Sequence, residues 1–529
     1  MPRQIAIAFF ITLFLAATGP LVAQKKGKVQ VPEGPSAEDV IKAAELLKLP
    51  NLVLIIADDL AHDDLSPYGH DSIMTPHLQR LANEGMRFDN AFVTASSCSP
   101  SRASIITGRF PHQTDAEELH WPVPKEQATF VEKLKEKGYW TGAAGKWHLG
   151  DQIKDRFHVV KDVDSTGFQL PSGEAGSAGN FEETLKGDAQ SGCADWIPLM
   201  RARETGKPFF LWLAALDPHR PFHEKTLKDG ARPDEVRVPP YQPDTPAVRA
   251  DYQQYYDEIT RLDQFVGQVL DELEAQGVAK NTLVLFISDN GRPFPRDKTT
   301  LYDSGIKTPW IVRWPETVAP GTVCKRLVST VDIAKTFLSL AKIEKPGMTF
   351  EGMDLSPLFT DPEKPIRDYV FAEKNWHDYE DHARAVRNER YKYIRNSFED
   401  LPRTPPADVV RSPTFVELIR LQEKGTLSAA QMICFENPRP KEEIYDLKLD
   451  PFELKNLASD ERYSPLLHAM QAALTDWEKK TKDAVPEART PDEFDRITGL
   501  PTPARVRPRL SKKEMLEKNA VPPKPVVAP

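Results

Sequence analysis

Short unbroken apolar runs alternate along this chain with longer stretches whose apolar residues fall three or four apart. The first clear run, Asn51-Leu52-Val53-Leu54-Ile55-Ile56-Ala57, is apolar at both parities and rich in β-branched residues. That pattern predicts a strand buried on both faces. Segments 88–93, 139–144, 208–216, 282–288 and 310–314 read in the same way. Between them the spacing predicts helices. One starts at Thr75-Pro76 with Leu78, Leu81 and Ala82 on its inner face, and others span 98–107, 130–137, 194–203, 247–276 and 331–341. The longest of these places Tyr255, Ile259, Leu262, Phe265, Val266 and Val269 on one stripe, which reads as a packing face. A further short helix is expected over 37–47.

Strands alternating with helices predict an α/β fold, a mostly parallel sheet flanked by helices. Residues 151–191 read as a loop-rich insertion without periodicity. From about residue 366 the pattern changes to short strands at 369–371, 383–387 and 391–395 and a helix at 464–479, which predicts a smaller C-terminal α+β subdomain. The expected organisation is a leader over 1–23, a basic linker over 24–48, a catalytic domain over 49–365, the subdomain over 366–484, and a disordered Pro/Lys-rich tail over 485–529.

Charge and composition narrow the picture. The net charge of −9 argues against a nucleic-acid binder, so an anionic substrate would have to meet a local basic pocket. The first residues, Met-Pro-Arg followed by an apolar run and Leu21-Val22-Ala23, have the layout of a secretory signal cut near Ala23, which implies a secreted or periplasmic protein. Four cysteines are too few for a disulfide scaffold; buried free thiols are expected.

Candidate chemistry sits where the apolar runs stop. Asp58-Asp59 and Asp289-Asn290 each end a predicted buried strand, and ligands of open α/β sheets bind beyond the carboxyl ends of strands. Three carboxylates and an amide offer only oxygen, which suits Ca²⁺ or Mg²⁺ rather than zinc, with Ca²⁺ favoured. Taken singly, Asp-Asp can open a helix and Asp-Asn-Gly is a common turn. In Cys98-Ser99-Pro100-Ser101-Arg102-Ala103-Ser104-Ile105-Ile106-Thr107-Gly108, proline suits a first helical turn and glycine a helix end. Position 98 would then stand at a helix N-terminus, where anions are favoured. A capped helix with a buried cysteine is the plain alternative. Lys146 and His148, and separately His219, follow other strand ends, and Lys298 lies just beyond Asp289.

The order Asp58-Asp59, Cys98…Arg102, Lys146-x-His148, His219, Asp289-Asn290, Lys298 resembles the type I sulfatases, and the likeness runs from about residue 52 to 467. The resemblance implies an alkaline-phosphatase-like fold. It also implies a formylglycine made from Cys98 by a maturation enzyme, with one Ca²⁺ held by Asp58, Asp59, residue 98, Asp289 and Asn290. It gives catalytic and sulfate-binding roles to residue 98, Arg102, Lys146, His148, His219 and Lys298, with His219 as general acid and His148 as base. Ser96–Ser104, 243–251, Ser288–Pro295 and 412–415 look most like the heparan N-sulfatases. A sulfated glycan, N-sulfoglucosamine of a heparan-type chain, is therefore the expected substrate, with Asp217, Arg220, His377 and Arg384 as candidate substrate contacts. The other readings are an O-sulfatase on another sulfated polysaccharide and a phosphoester or phosphonate hydrolase of the same superfamily.

Overall fold

The computed structural model describes residues 44–163, 190–222, 230, 232–505 and 512–514. The expected leader, most of the linker and its helix, and the end of the tail lie outside them. Residues 1–45 form one unit and Leu46–Pro529 another, and everything below belongs to the second.

In chain order the second unit opens with β1 (Asn51–Ala57), α1 (Pro76–Asn83), β2 (Met86–Phe88), β3 (Ala91–Phe92), α2 (Cys98–Thr107), α3 (Phe130–Lys137), β4 (Trp140–Gly145), β5 (Val159–Asp162), α4 (Trp196–Ala202) and β6 (Phe209–Ala214). It continues with α5 (Pro246–Ala275), β7 (Thr282–Ser288), α6 (Asp303–Ile306), β8 (Trp310–Arg313), β9 (Thr322–Cys324), β10 (Val328–Ser329) and α7 (Asp332–Leu340). The C-terminal part holds β11 (Val370–Lys374), β12 (Ala383–Arg387), β13 (Tyr391–Asn396), α8 (Ala407–Val410), α9 (Pro413–Glu423), β14 (Glu442–Asp446) and α10 (Ser464–Thr481).

An eight-stranded sheet runs in the order β5-β4-β6-β1-β7-β8-β2-β9, and β8 alone runs against the others. Alternate residues of β1 enter different cores, Leu52, Leu54 and Ile56 one, Val53, Ile55 and Ala57 the other. Its apolar run is thus explained by burial on both faces. α5 covers the second core with Tyr255, Ile259, Leu262 and Val266, while Ala103, Ile105 and Ile106 of α2 join the first. A separate antiparallel sheet, β11-β12-β13-β14, follows. All four cysteines are free and buried. Among the described residues no helix is long and apolar enough to cross a membrane.

Three expectations are corrected. The predicted 88–93 strand is two short strands, β2 and β3. The insertion begins with a 3-10 turn at Asp151–Arg156 and then an edge strand, β5, paired with β4 through Gly142 and Val159. Part of the expected disordered tail is packed: Glu493 and Phe494 are buried, and the Trp376 indole N–H donates to the Pro491 carbonyl at 3.0 Å.

Candidate active site

Four strand ends meet at one edge of the large sheet. Ala57 of β1 stands opposite Ser288 of β7, so Asp58 and Asp289 leave the sheet side by side. The Asp58 N–H donates to the Asp217 carbonyl beyond β6 at 3.0 Å, and the Lys146 N–H beyond β4 donates to the Ala214 carbonyl at 3.0 Å. Gly145 makes that exit possible. Its φ is +97°, and a Cβ there would lie 1.7 Å from the Ala214 carbonyl oxygen. α2 supplies Cys98 as its first residue and ends at Gly108, whose φ of +67° closes the helix with an N–H bond to the Ser104 carbonyl. All ten residues of α2 are buried, polar ones included.

The three carboxylates share one arrangement. Each has one oxygen on a cation and the other left for the centre. Lys146 Nζ bonds Asp58 Oδ2. Lys298 Nζ donates to Asp59 Oδ2 at 2.7 Å, and Arg102 Nε donates to Asp289 Oδ2 at 2.8 Å. Of the remaining oxygens, Asp58 Oδ1 lies 3.4 Å and Asp59 Oδ1 3.7 Å from Cys98 Sγ, while Asp289 Oδ1 accepts from the Asp59 N–H at 3.3 Å. Ligand atoms of Asp58, Asp59, Cys98 and Asp289 all lie within 4.8 Å of one another, and all four residues are buried. The Asn290 side-chain carbonyl is buried without a hydrogen-bond partner. Three buried carboxylates beside an orphaned amide oxygen make a donor set that fits a hard divalent cation.

The charges are set by this packing. Burial acts to raise Asp58, but Lys146, His219 and Arg102 outweigh it and hold it below its ordinary value. Burial acts to lower Lys146, but Asp58 holds it above its usual range. Burial pushes the Cys98 thiol well up despite Lys146 and Lys298, so an unconverted cysteine is a neutral thiol and a weak nucleophile.

Around this floor stand the histidines. His219 Nδ1 donates to the Arg220 carbonyl, which leaves Nε2 as the site nitrogen, 3.7 Å from Asp59 Oδ2. His148, at φ +56°, shares a 2.6 Å hydrogen bond between its Nε2 and His120 Nδ1, and its own Nδ1 has no hydrogen-bond partner. Burial, then His120 and Lys146, push His148 well below its ordinary value, which keeps the ring neutral. His377 Nδ1 bonds the Ser97 hydroxyl at 2.7 Å, one residue before Cys98.

The structure thus brings together Asp58, Asp59, Cys98, Arg102, Lys146, His219, Asp289, Asn290 and Lys298, with His148 and His377 at the margin. It does not bring the other candidate substrate contacts there. Asp217 is held by Arg261 at 2.8 and 2.6 Å, and Arg220 by Asp251 at 2.8 Å on both arms, between the rings of Phe222 and Phe294. Arg384 is held by Asp483 and by the Lys374 carbonyl. Buried charges need such partners, and these side chains have theirs within the protein. Two site residues escaped the sequence. His120 meets His148 only through a loop at φ +65°, and Asp408 pairs with Lys298 at 3.3 Å from a short helix after a proline-rich stretch. Neither lies in a motif.

The family model described as sulfatase matches residues 50–343, and one described as N-sulphoglucosamine sulphohydrolase, C-terminal, matches 294–403. An ulvan-active sulfatase of Formosa agariphila is 32% identical, covering 82% of this chain and 76% of its own length. The human N-sulphoglucosamine sulphohydrolase is 31% identical, covering 82% of this chain and 90% of its own. A protein solved in complex with its substrate D-glucosamine-2-N,6-O-disulfate superposes with a TM-score of 0.61 at 21% identity, over 83% of this chain and 99% of that one, a likeness of fold.

Proposed function

The chain belongs to the sulfatase family, and we propose that it removes sulfate from sulfated sugars, with N-sulfoglucosamine of a heparan-type glycan as its substrate. The observation that carries the reading is the convergence of Cys98, at the start of a buried helix, with Asp58, Asp59, Asp289 and Asn290. The N-sulfated substrate is supported by the match over 294–403, a stretch that contains Lys298 and His377.

Asp58, Asp59, Asp289 and Asn290, with residue 98, would hold Ca²⁺. The ion and a formylglycine at 98 would supply an oxygen nucleophile and neutralise charge on the sulfuryl group. Arg102 fixes Asp289 by its hydrogen bond and so holds the floor in place. Lys146, on Asp58, and Lys298, on Asp59 and Asp408, present ammonium charge to the sulfate oxygens. His219, oriented by the Arg220 carbonyl, offers a proton from Nε2 to the leaving atom, and an amine needs that proton more than an aryl oxide does. His148, whose buried Nδ1 has no hydrogen-bond partner, is the base of this reading in the step that releases sulfate. In this reading a maturation enzyme converts Cys98, and a leader exports the protein to the periplasm or exterior.

The test is sulfate release by Ca²⁺-loaded mature protein from N-sulfated glucosamine, 6-O-sulfated glucosamine and O-sulfated galactose or fucose oligosaccharides. Release confined to the N-sulfated sugar is the expected result. Release from O-sulfates alone would overturn the substrate and favour the second reading, an O-sulfatase, to which the ulvan-active relative points.

A further inference from the structure

The catalytic set leaves one carboxylate unexplained. Asp408 of α8 places Oδ2 3.3 Å from Lys298 Nζ and 3.8 Å from His219 Nε2, the nitrogen that faces the leaving atom. Its other oxygen accepts the Val409 N–H at 3.0 Å, which fixes the side chain. Lys298 lies between two carboxylates, Asp59 at 2.7 Å and Asp408 at 3.3 Å, and both hold its charge, so Asp408 supports Lys298 while still presenting an oxygen toward His219. The side chains of Asp58, Asp59 and Asp289 are fully buried, whereas that of Asp408 is 23% exposed. It is therefore an accessible carboxylate at the rim of an anion-binding site. Such a group repels an N-sulfate and an O-sulfate alike, but from a departing alcohol it gains only a neutral donor's hydrogen bond, whereas a departing ammonium gives it a charge-assisted one.

We infer that Asp408 receives the amino group of the departing sugar and so determines specificity for N-sulfated over O-sulfated substrates, an inference that rests on the substrate reading above. When the N–S bond breaks, its electron pair goes to nitrogen. That nitrogen takes one proton from His219 Nε2 and a second from solvent, while the sulfuryl group would pass to the oxygen nucleophile at residue 98 and leave as sulfate with that oxygen, which water replaces. The sugar then leaves as an ammonium, and Asp408 Oδ2 is the acceptor placed beside the proton donor. A charge-assisted hydrogen bond of this kind discriminates by about 10- to 100-fold.

Two readouts test it. Calorimetric titration of the wild-type protein with glucosamine and with N-acetylglucosamine is expected to show about tenfold tighter binding of the amine, lost in Asp408→Asn and partly kept in Asp408→Glu. The ratio of kcat/KM for N-sulfoglucosamine to that for 6-O-sulfated N-acetylglucosamine is expected to fall about 10- to 100-fold in Asp408→Asn. An equal fall for both substrates, or no preference for the amine in the wild type, overturns the inference, since a residue that only positions Lys298 and His219 would act on both alike. The binding arm needs no turnover. An amine preference that depends on Asp408, in a protein that spares N-sulfated sugars, would support the amine contact while overturning the substrate reading.

Discussion

The floor of the site and its rim are built by different means. Asp58, Asp59, Asp289 and Asn290 leave two adjacent strands in register and have no exposure, and each carboxylate is tied to a cation. His219, His377 and Asp408 come from loops and a four-residue helix, and their side chains keep 19, 5 and 23% of their exposure. The rim is in turn held by residues 491–495. Besides the bond from Trp376 to Pro491, the Glu493 N–H donates to the Asp378 carbonyl at 2.9 Å and the Tyr379 hydroxyl to the Asp495 carbonyl at 3.2 Å. A floor fixed by sheet register suits chemistry that cannot tolerate displacement. A rim fixed by loop contacts suits recognition, which differs from one substrate to the next.

Changes to the floor should therefore abolish turnover, and changes to the rim should redistribute it. Cys98→Ser is expected to lose about 10⁴-fold or more in kcat, because a serine has no second hydroxyl with which to expel sulfate. Repeated turnover by that variant, measured as sulfate per active site, would break the distinction at its strongest point. Asp289→Asn is expected to cost about 10³-fold. Chelation should act likewise, reversibly on adding Ca²⁺, and lower Tm by removing an ion that binds only the folded state. A Tm indifferent to chelator would contradict an oxygen-lined metal site. His219→Ala, between floor and rim, is expected to lose about 10²-fold on N-sulfoglucosamine and less on an aryl sulfate with a good leaving group.

How far each half could be read from sequence follows the same line. β1 and β7 were legible to the residue because burial on both faces writes a continuous apolar run, and the residues that end such runs announce themselves. β5 was missed because Val-Val-Lys-Asp at a sheet edge is too short and too polar to stand out. α8 and α9 follow prolines at 402, 405, 406 and 413 that mask helical spacing, and Asp408 went with them. Composition predicts disorder over 485–529 but carries no record of the partner that residues 490–495 fold against, the loop from Trp376 to Glu380. Asp217, Arg220 and Arg384, expected from sequence as substrate contacts, are each tied to a charge within the protein, Arg261, Asp251 and Asp483. They are charged residues near motif positions, but their charges serve to hold buried elements together.

Two smaller effects sharpen the picture of the rim. Ending the chain after residue 484 is expected to raise KM for the sugar about tenfold, with kcat for a small aryl sulfate changed much less; equal effects on both would place the tail among the supports of the floor. Glu380 bonds the Thr490 N–H, and burial raises it from 4.5 to about 7. Its contribution to stability is thus complete below about pH 4.5 and lost as pH rises through 7. Glu380→Gln should gain on the wild type by about 1 kcal/mol between pH 5 and pH 8, read as a shift in relative Tm.

The most direct measurement is the chemical state of residue 98 against turnover. Preparations made with and without co-expressed maturation enzyme would be digested, the peptide bearing residue 98 weighed, and its aldehyde trapped with a hydrazide. Sulfate release should rise in proportion to the aldehyde fraction and vanish in the fully thiol form. Full turnover by protein whose residue 98 is still a cysteine would contradict the site as described.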